Sequence, residues 1–158
     1  MIDIKKIYIE VFNAIKNDTE LLDLLEVKYE GVDRNTFLTN LRKQVIEGSS
    51  PDGLLKTYEI RLCVHERDGA FRGLHEDVGY LNIDIHISKD KNKINGVLSN
   101  VVKKVIEVLD TNERKKQGLQ PLKVGLYGLD YKTRTFENRS NYTGWEKYSI
   151  TFEYRYIL

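Results

Sequence analysis

The chain has 158 residues, of which 41% are hydrophobic and 31% charged, with a formal net charge of +1. This length suits one domain with its own core, so we predict a single domain over residues 1–158. The near-zero charge provides no overall field toward nucleic acid or a membrane. The one cysteine, Cys63, excludes an internal disulfide and a zinc site built from several cysteines. We expect no signal peptide, and no apolar run approaches the roughly 18–20 residues of a membrane span.

Two helices are predicted at the start of the chain. Apolar residues from Ile4 to Ile15 recur at helical spacing, which predicts a helix over residues 3–16. Asp18 or Thr19 can cap a short second helix that carries a cluster of leucines. The signal is weaker over residues 29–56, where a weakly helical pattern is followed by a loop at 48–53.

Two alternating segments then predict a β-hairpin. Residues 57–66 and 80–88 each place apolar side chains on one face and polar side chains on the other. The connection between them, residues 67–79, contains three glycines. It is long for a compact domain, so we predict that it forms an extended arm at the tip of the hairpin.

The second half of the chain completes an α+β pattern. Residues 94–110 have the clearest helical periodicity, and their many β-branched side chains indicate that this helix depends on packing. Two further strands are predicted at 122–131 and 147–157. We therefore predict an α+β fold with a mainly antiparallel four-stranded sheet, packed against amphipathic helices and extended by the hairpin arm.

The hairpin raises the question of a metal site. Asp84 and His86 lie two residues apart on one strand, and Glu59 lies on the other, so these three residues could serve a small metal-dependent enzyme of the nuclease type. A hairpin register that pairs Ile60 with Ile85 instead sets Arg61 opposite Asp84 and Glu59 opposite His86. Opposite charges then face each other, and a guanidinium occupies the place of a metal. We interpret these residues as structural pairs and expect no catalytic residue, metal or cofactor.

Other side chains favour assembly with a partner. The predicted arm carries two arginines and two large apolar residues, and exposed apolar side chains on an arm indicate a contact surface. The last strand has a dense aromatic face. The candidate interface residues are Arg67, Phe71, Arg72, Leu74, Tyr154 and Tyr156.

The order of elements resembles the tail-terminator, tail-completion and head–tail joining proteins of long-tailed bacteriophages. The resemblance is carried by the opening helix with NDTELLDLL, the strands YEIRLCVHE and LNIDIHIS, the helix INGVLSNVVKKVIEVLD, and the closing segments LYGLDYKTRTF and WEKYSITFEYRYIL. It covers most of the chain except residues 29–56.

The resemblance implies a structural protein without catalytic activity. Proteins of this group form rings, commonly hexamers, at the head-proximal end of the tail, where they stop polymerisation of the tail tube and join the tail to the head. The implied partners are other copies of the chain, the tail tube protein and the head–tail connector, with DNA passing through the ring without sequence-specific binding. The implied location is the virion, after assembly in the host cytoplasm. A head-side connector component is a further alternative.

Overall fold

The computed structural model describes residues 3–50, 60–72, 75–91, 96–137 and 143–157. The helices are α1 (Ile4–Lys16), α2 (Thr19–Leu24), α3 (Arg34–Gln44), α4 (Val97–Leu109) and α5 (Thr111–Lys116). The strands are β1 (Val45–Glu47), β2 (Ile60–Arg72), β3 (Glu76–Ser88), β4 (Asp130–Glu137) and β5 (Trp145–Ile157).

The strands form one five-stranded sheet in the order β1-β2-β3-β5-β4. Strand β1 runs parallel to β2, and the other neighbouring pairs are antiparallel. The predicted α+β class is confirmed, but the sheet is mixed and has five strands rather than four. The additional strand is β1. It has only three residues and follows α3 directly, within the part of the chain whose sequence pattern was weak.

Aspartate side chains cap the beginning of four of the helices. Asp3, Asp18, Asp33 and Asp110 accept hydrogen bonds from the first-turn backbone of α1, α2, α3 and α5. Each such cap typically stabilises a helix by about 1 kcal/mol. Asp110 also has an extended backbone, which ends α4 and begins α5, so the predicted helix over 94–110 stops there.

The core lies between the helices and one face of the sheet. The apolar stripes of α1 and α4 pack on strand residues that are fully buried, including Leu62, Ile83 and Ile150. Burying each such side chain contributes roughly 1.5–3 kcal/mol. The predicted apolar faces of the strands are therefore confirmed as the face that the helices cover.

Two predicted strand positions were wrong. The segment 67–79 is largely strand, since β2 continues to Arg72 and β3 begins at Glu76. The strand predicted at 122–131 instead begins at Asp130. Gly125 and Gly128 have φ angles of 57° and 80°. Glycine adopts this left-handed conformation readily, and the two residues turn the chain before the strand begins.

The predicted cross-strand pairs were also wrong. Ile60 pairs with Ile87 rather than with Ile85, which places Arg61 opposite His86 and Cys63 opposite Asp84. Glu59, the predicted partner of His86, lies outside the described residues. The prediction considered the hairpin alone, whereas β3 is paired along its whole length with β5 as well. Asp84 therefore finds partners on both neighbouring strands, and the charge match within the hairpin does not decide the register.

Gly79 gives a test of the packing between β3 and β5. It lies opposite Tyr154, and a Cβ atom at Gly79 would come within 2.3 Å of the Tyr154 ring. We expect Gly79→Ala to lower the free energy of unfolding by roughly 1–3 kcal/mol, the typical cost of overpacking. Chemical denaturation measures this loss.

The control for that test is the same Gly79→Ala substitution made in a Tyr154→Leu variant. The three atoms nearest to the added Cβ belong to the far end of the tyrosine ring, and leucine lacks them. The cost of Gly79→Ala should shrink in this background. Strictly additive losses in the double variant would contradict the proposed clash.

Candidate assembly surface on the polar face and the hairpin arm

The face of the sheet opposite the helices carries a band of polar and charged side chains, which we call the polar face. It follows from the alternation of each strand, because the neighbours of every core residue point to the other side. Several of these side chains are themselves buried, among them Arg61, His86 and Glu153. The polar face comprises Arg61, His65, Arg67, Asn82, Asp84, His86, Lys147, Ser149, Thr151 and Glu153.

Asp84 is the centre of a hydrogen-bonded group on this face. Its two carboxylate oxygens lie 2.7 Å from Nε2 of His65 and 2.6 Å from Oγ of Ser149, which donates to it. Nδ1 of His65 lies 3.2 Å from the backbone oxygen of Glu66. The carboxylate therefore links β2 to β5 across β3, and both nitrogens of the imidazole face oxygen acceptors.

The arrangement shifts the pKa of both ionisable groups. The hydrogen bond to Asp84 raises the pKa of His65, and it outweighs the opposing effect of burial. Burial of Asp84 disfavours its charged form, but the hydrogen bonds from His65 and Ser149 outweigh burial, so the pKa of the Asp84 carboxyl lies below its usual value. The pair is thus stabilised as an imidazolium and a carboxylate.

The geometry of this group differs from that of a catalytic triad. In a serine–histidine–aspartate triad the histidine lies between the other two residues and takes the proton of the serine. Here the aspartate lies in the middle, and Ser149 donates to Asp84 instead of to a base. In the parts of the chain that the structure describes, no group of three or more His, Cys, Asp or Glu side chains could hold a metal ion.

Further contacts join the strands along the polar face. Arg67 donates to Oγ1 of Thr151 at 3.0 Å, and Thr151 donates to Oδ1 of Asn82 at 2.7 Å. Glu153 accepts from Nε of Arg155 at 2.7 Å and lies 3.6 Å from Nζ of Lys132. These bonds hold the side chains in fixed positions, so the face is a preorganised polar surface.

The structure locates part of the predicted interface on the arm. Arg67 is exposed and borders the polar face. The backbones of Phe71 and Arg72 continue β2, opposite Val78 and Asp77. Leu74 lies outside the described residues. The role of these four residues in an interface stays a prediction.

The two predicted interface tyrosines of β5 differ in burial. Tyr154 is only 3% exposed, and its hydroxyl donates to Glu66 at 3.3 Å. Its ring stacks on that of Tyr156, with the centroids 6.2 Å apart. Tyr156 is half-buried, so it keeps more accessible surface than Tyr154. The dense aromatic face of the last strand thus serves mainly the packing within this chain.

Sequence reasoning missed an exposed apolar group, the end patch, formed by Leu126, Tyr127 and Ile157. These side chains are 41%, 56% and 68% exposed. The turn that carries the first two contains Gly125, where a Cβ atom would come within 2.1 Å of the backbone oxygen of Arg155. The Leu126 N–H donates to that same oxygen at 2.7 Å. The signal in the sequence was GLYG, two large apolar residues between glycines.

The fold is similar to that of a chain in a solved structure, the virion of native gene transfer agent (GTA) particle. The two chains superpose with a TM-score of 0.60 and 13% sequence identity, over 94% of this chain and 92% of the other. At this identity the likeness shows the fold alone. No family model matches the chain, and no curated protein matches it. None of the described helices has the length and apolar character needed to cross a membrane.

The His65–Asp84 pair predicts a pH dependence of stability. The pKa of His65 is raised in the folded state, so its contribution is fully present below about pH 6.5, the ordinary value, and is lost as the pH rises through the raised pKa. Asp84 has the opposite sign, since its contribution is lost as the pH falls through its lowered pKa. Denaturation at a series of pH values should show the alkaline loss in the wild type but not in His65→Gln.

Asp84→Asn removes the charge of the carboxylate and so measures what the ion pair with His65 contributes to stability. We expect it to lower the free energy of unfolding near pH 6 by about 1.5–3 kcal/mol, the typical worth of hydrogen bonds to a charged group. In the same variant an NMR titration should show the pKa of His65 moving back toward its ordinary value. A His65 pKa that does not respond to Asp84→Asn would contradict the assignment.

Proposed function

We propose that this protein is a virion structural protein, specifically one that forms a ring at the head-proximal end of a phage tail. The observation that carries the proposal is the likeness of its fold, over 94% of the chain, to a chain of a gene transfer agent virion. The order of elements, which resembles that of the tail-terminator group, supports the same role. In this role the ring stops polymerisation of the tail tube and joins the tail to the head.

The chemistry of the polar face is consistent with a protein that has no catalytic activity. Asp84 and His65, the most promising acid and base in the described part of the chain, are bonded to each other and tie three strands together. A nuclease using Asp84 would have to give up those hydrogen bonds before the carboxylate could bind a metal. We therefore favour a scaffold that presents surfaces over an enzyme.

The surfaces suit the three kinds of contact that the role requires. Neighbouring copies, expected to be six in a ring, would meet through the arm at Arg67, Phe71, Arg72 and Leu74, with Tyr156 beside it. The end patch would give an apolar docking face for the tail tube protein or the head–tail connector. The polar face would suit a lumen through which DNA passes without sequence-specific binding, because it carries charges of both signs.

Ring formation is the first test of this proposal. Mass photometry and negative-stain microscopy of the purified chain should show closed rings, and the ring fraction should increase with protein concentration. Phe71→Ser combined with Leu74→Ser should weaken assembly at least tenfold, because apolar area at the contact is lost. Ile9→Ser is the matched control, since Ile9 is 47% exposed and belongs to α1 rather than to the arm. An arm variant that assembles as well as the control would contradict the proposed contact.

The position in the virion needs a separate experiment. Particles assembled without this protein should have tails of uncontrolled length, and addition of the purified protein should restore a uniform length. Tails of normal length that fail to attach to heads would instead favour the head-side connector role.

A further inference from the structure

One edge of the sheet is closed only in part. Strand β1 covers β2 at Leu62, Cys63 and Val64. The outer side of β1 is itself occupied at Val45, whose N–H donates to Leu41 and whose oxygen accepts a 2.6 Å hydrogen bond from the Tyr8 hydroxyl. No described strand pairs with β2 on this side from residue 65 to residue 72. Among the described residues, the distal half of β2 is therefore a free edge.

The backbone of this edge alternates regularly up to Arg67, and the register of β2 with β3 shifts between Arg67 and Phe71. The N–H of Gly48 donates to the oxygen of Val64, so the even-numbered residues of β2 direct their backbone groups toward β1. The next such residue, Glu66, lies beyond the end of β1, and its side chain is exposed. Its backbone oxygen lies 3.2 Å from Nδ1 of His65, whereas no described strand lies beside its N–H. An edge with unpaired backbone groups is a ready template for another strand.

Within the described part of the chain, the opposite edge of the sheet is also free along most of its length. The beginning of β4 is closed by α5, because Thr111 N–H donates to Leu129 at 2.8 Å and Asp110 accepts from the Tyr131 N–H at 2.8 Å. From residue 132 to residue 137, no described segment pairs with the outer side of β4. Its side chains from residue 132 to residue 136 are exposed, and they include Phe136 at 45%.

We propose that these two edges bind each other between copies of this chain, so that residues 132–137 of one copy pair with residues 65–72 of the next. The inference rests on the proposed ring and specifies how it closes. The two edges lie on opposite sides of one sheet, so the contact is head-to-tail, and a head-to-tail contact closes into a ring when the rotation permits. Successive antiparallel pairs make β4 antiparallel to β2, so the sheet continues from copy to copy in antiparallel order.

The charges at the two edges are complementary. Arg134 pairs with Ile150, a core residue, so it lies on the helix side of the sheet. Glu66 pairs with Leu81 and lies on the same side. A sheet that continues across the contact would therefore bring a cation and an anion to one face. At diagonal positions on neighbouring strands, long side chains such as these are within reach of each other, and the opposite charges favour this pairing over contact between two β4 strands.

The positions of the two edges along the strand direction determine how far the strands would tilt in the ring. Across the paired strands, Thr133 lies in one row with Asn82 and His65, and Glu137 lies in one row with His86 and Arg61. Residues 65–72 extend past those rows, and a stagger of about four residues, or ~13 Å, sets Glu137 beside His65, just past the part of β2 that β1 covers. This even shift keeps each side chain on its own face of the sheet. Four strands are ~19 Å wide at the usual strand spacing. The ratio corresponds to a tilt of about 35°, at the lower end of the roughly 35–45° of closed β-barrels.

Cross-linking between engineered cysteines tests the contact in the assembled full chain. Glu66→Cys and Arg134→Cys are combined, and the assembled protein is treated with a short bismaleimide that tolerates a small register error. Native Cys63 is fully buried, so its contribution to cross-linking should be small and equal in every variant. We expect a covalent ladder that reaches the mass of the ring, with at least tenfold more multimer than in either single variant.

Control variants make each outcome decisive. Glu66→Cys with Asn112→Cys, an exposed residue on α5, should give no ladder. Dimers formed by Arg134→Cys alone would indicate two-fold pairing of β4 strands and would overturn the inference. Rings seen by mass photometry without a ladder would overturn it while leaving the proposed ring intact. A chain that stays monomeric at every concentration would overturn both the ring and the contact.

Discussion

The central position of β3 in the sheet determines the arrangement of both faces of the molecule. All thirteen of its residues pair with β5, and most of them also pair with β2. Because successive side chains of a strand alternate, this one strand supplies both layers of the molecule. Its odd-numbered residues from Leu81 to Ile87 enter the core beneath the helices, and its even-numbered residues from Asn82 to His86 lie on the polar face. A shift by one residue would exchange the two sets and destroy both.

The polar face shows how a sheet without a helix on one side keeps buried charges stable. Asp84 is almost fully buried, and a buried carboxylate is costly unless it is paired and hydrogen-bonded. Its partners come from two different strands, so the compensation requires the complete sheet rather than the hairpin. The same bonds that stabilise the charge also fix the relative positions of β2, β3 and β5. We therefore regard the acid and histidine cluster as a structural element that holds three strands of the sheet together. In a ring, this face of the sheet would form a rigid polar surface.

The proposed ring gives a physical reason for edges that would otherwise be a hazard. An exposed strand edge promotes aggregation unless something covers or blunts it. This fold closes β1 with α1 and α3 and closes the start of β4 with α5, yet it leaves two long edges open in the part of the chain described. A fold that covers some strand edges and leaves others exposed is expected when the exposed edges pair with another chain. The two neighbouring copies in a closed ring would each cover one of these edges, so that neither would stay open.

From the sequence alone followed the α+β class, the core faces of the hairpin strands and of the last strand, the helix near the start, and Asp18 as one of two candidate caps of α2. These features depend on local periodicity and on short-range hydrogen bonds, which a single segment carries. The register of the hairpin, the short strand β1, the burial of Tyr154 and the end patch depended on the tertiary structure. Each of them is decided by residues distant in the chain: β5 sets the partners of Asp84, β2 provides the pairing for β1, and the glycine at position 79 leaves the space that Tyr154 fills. A pattern along one strand cannot contain that information, because the alternation of side chains is the same in every register that preserves the faces.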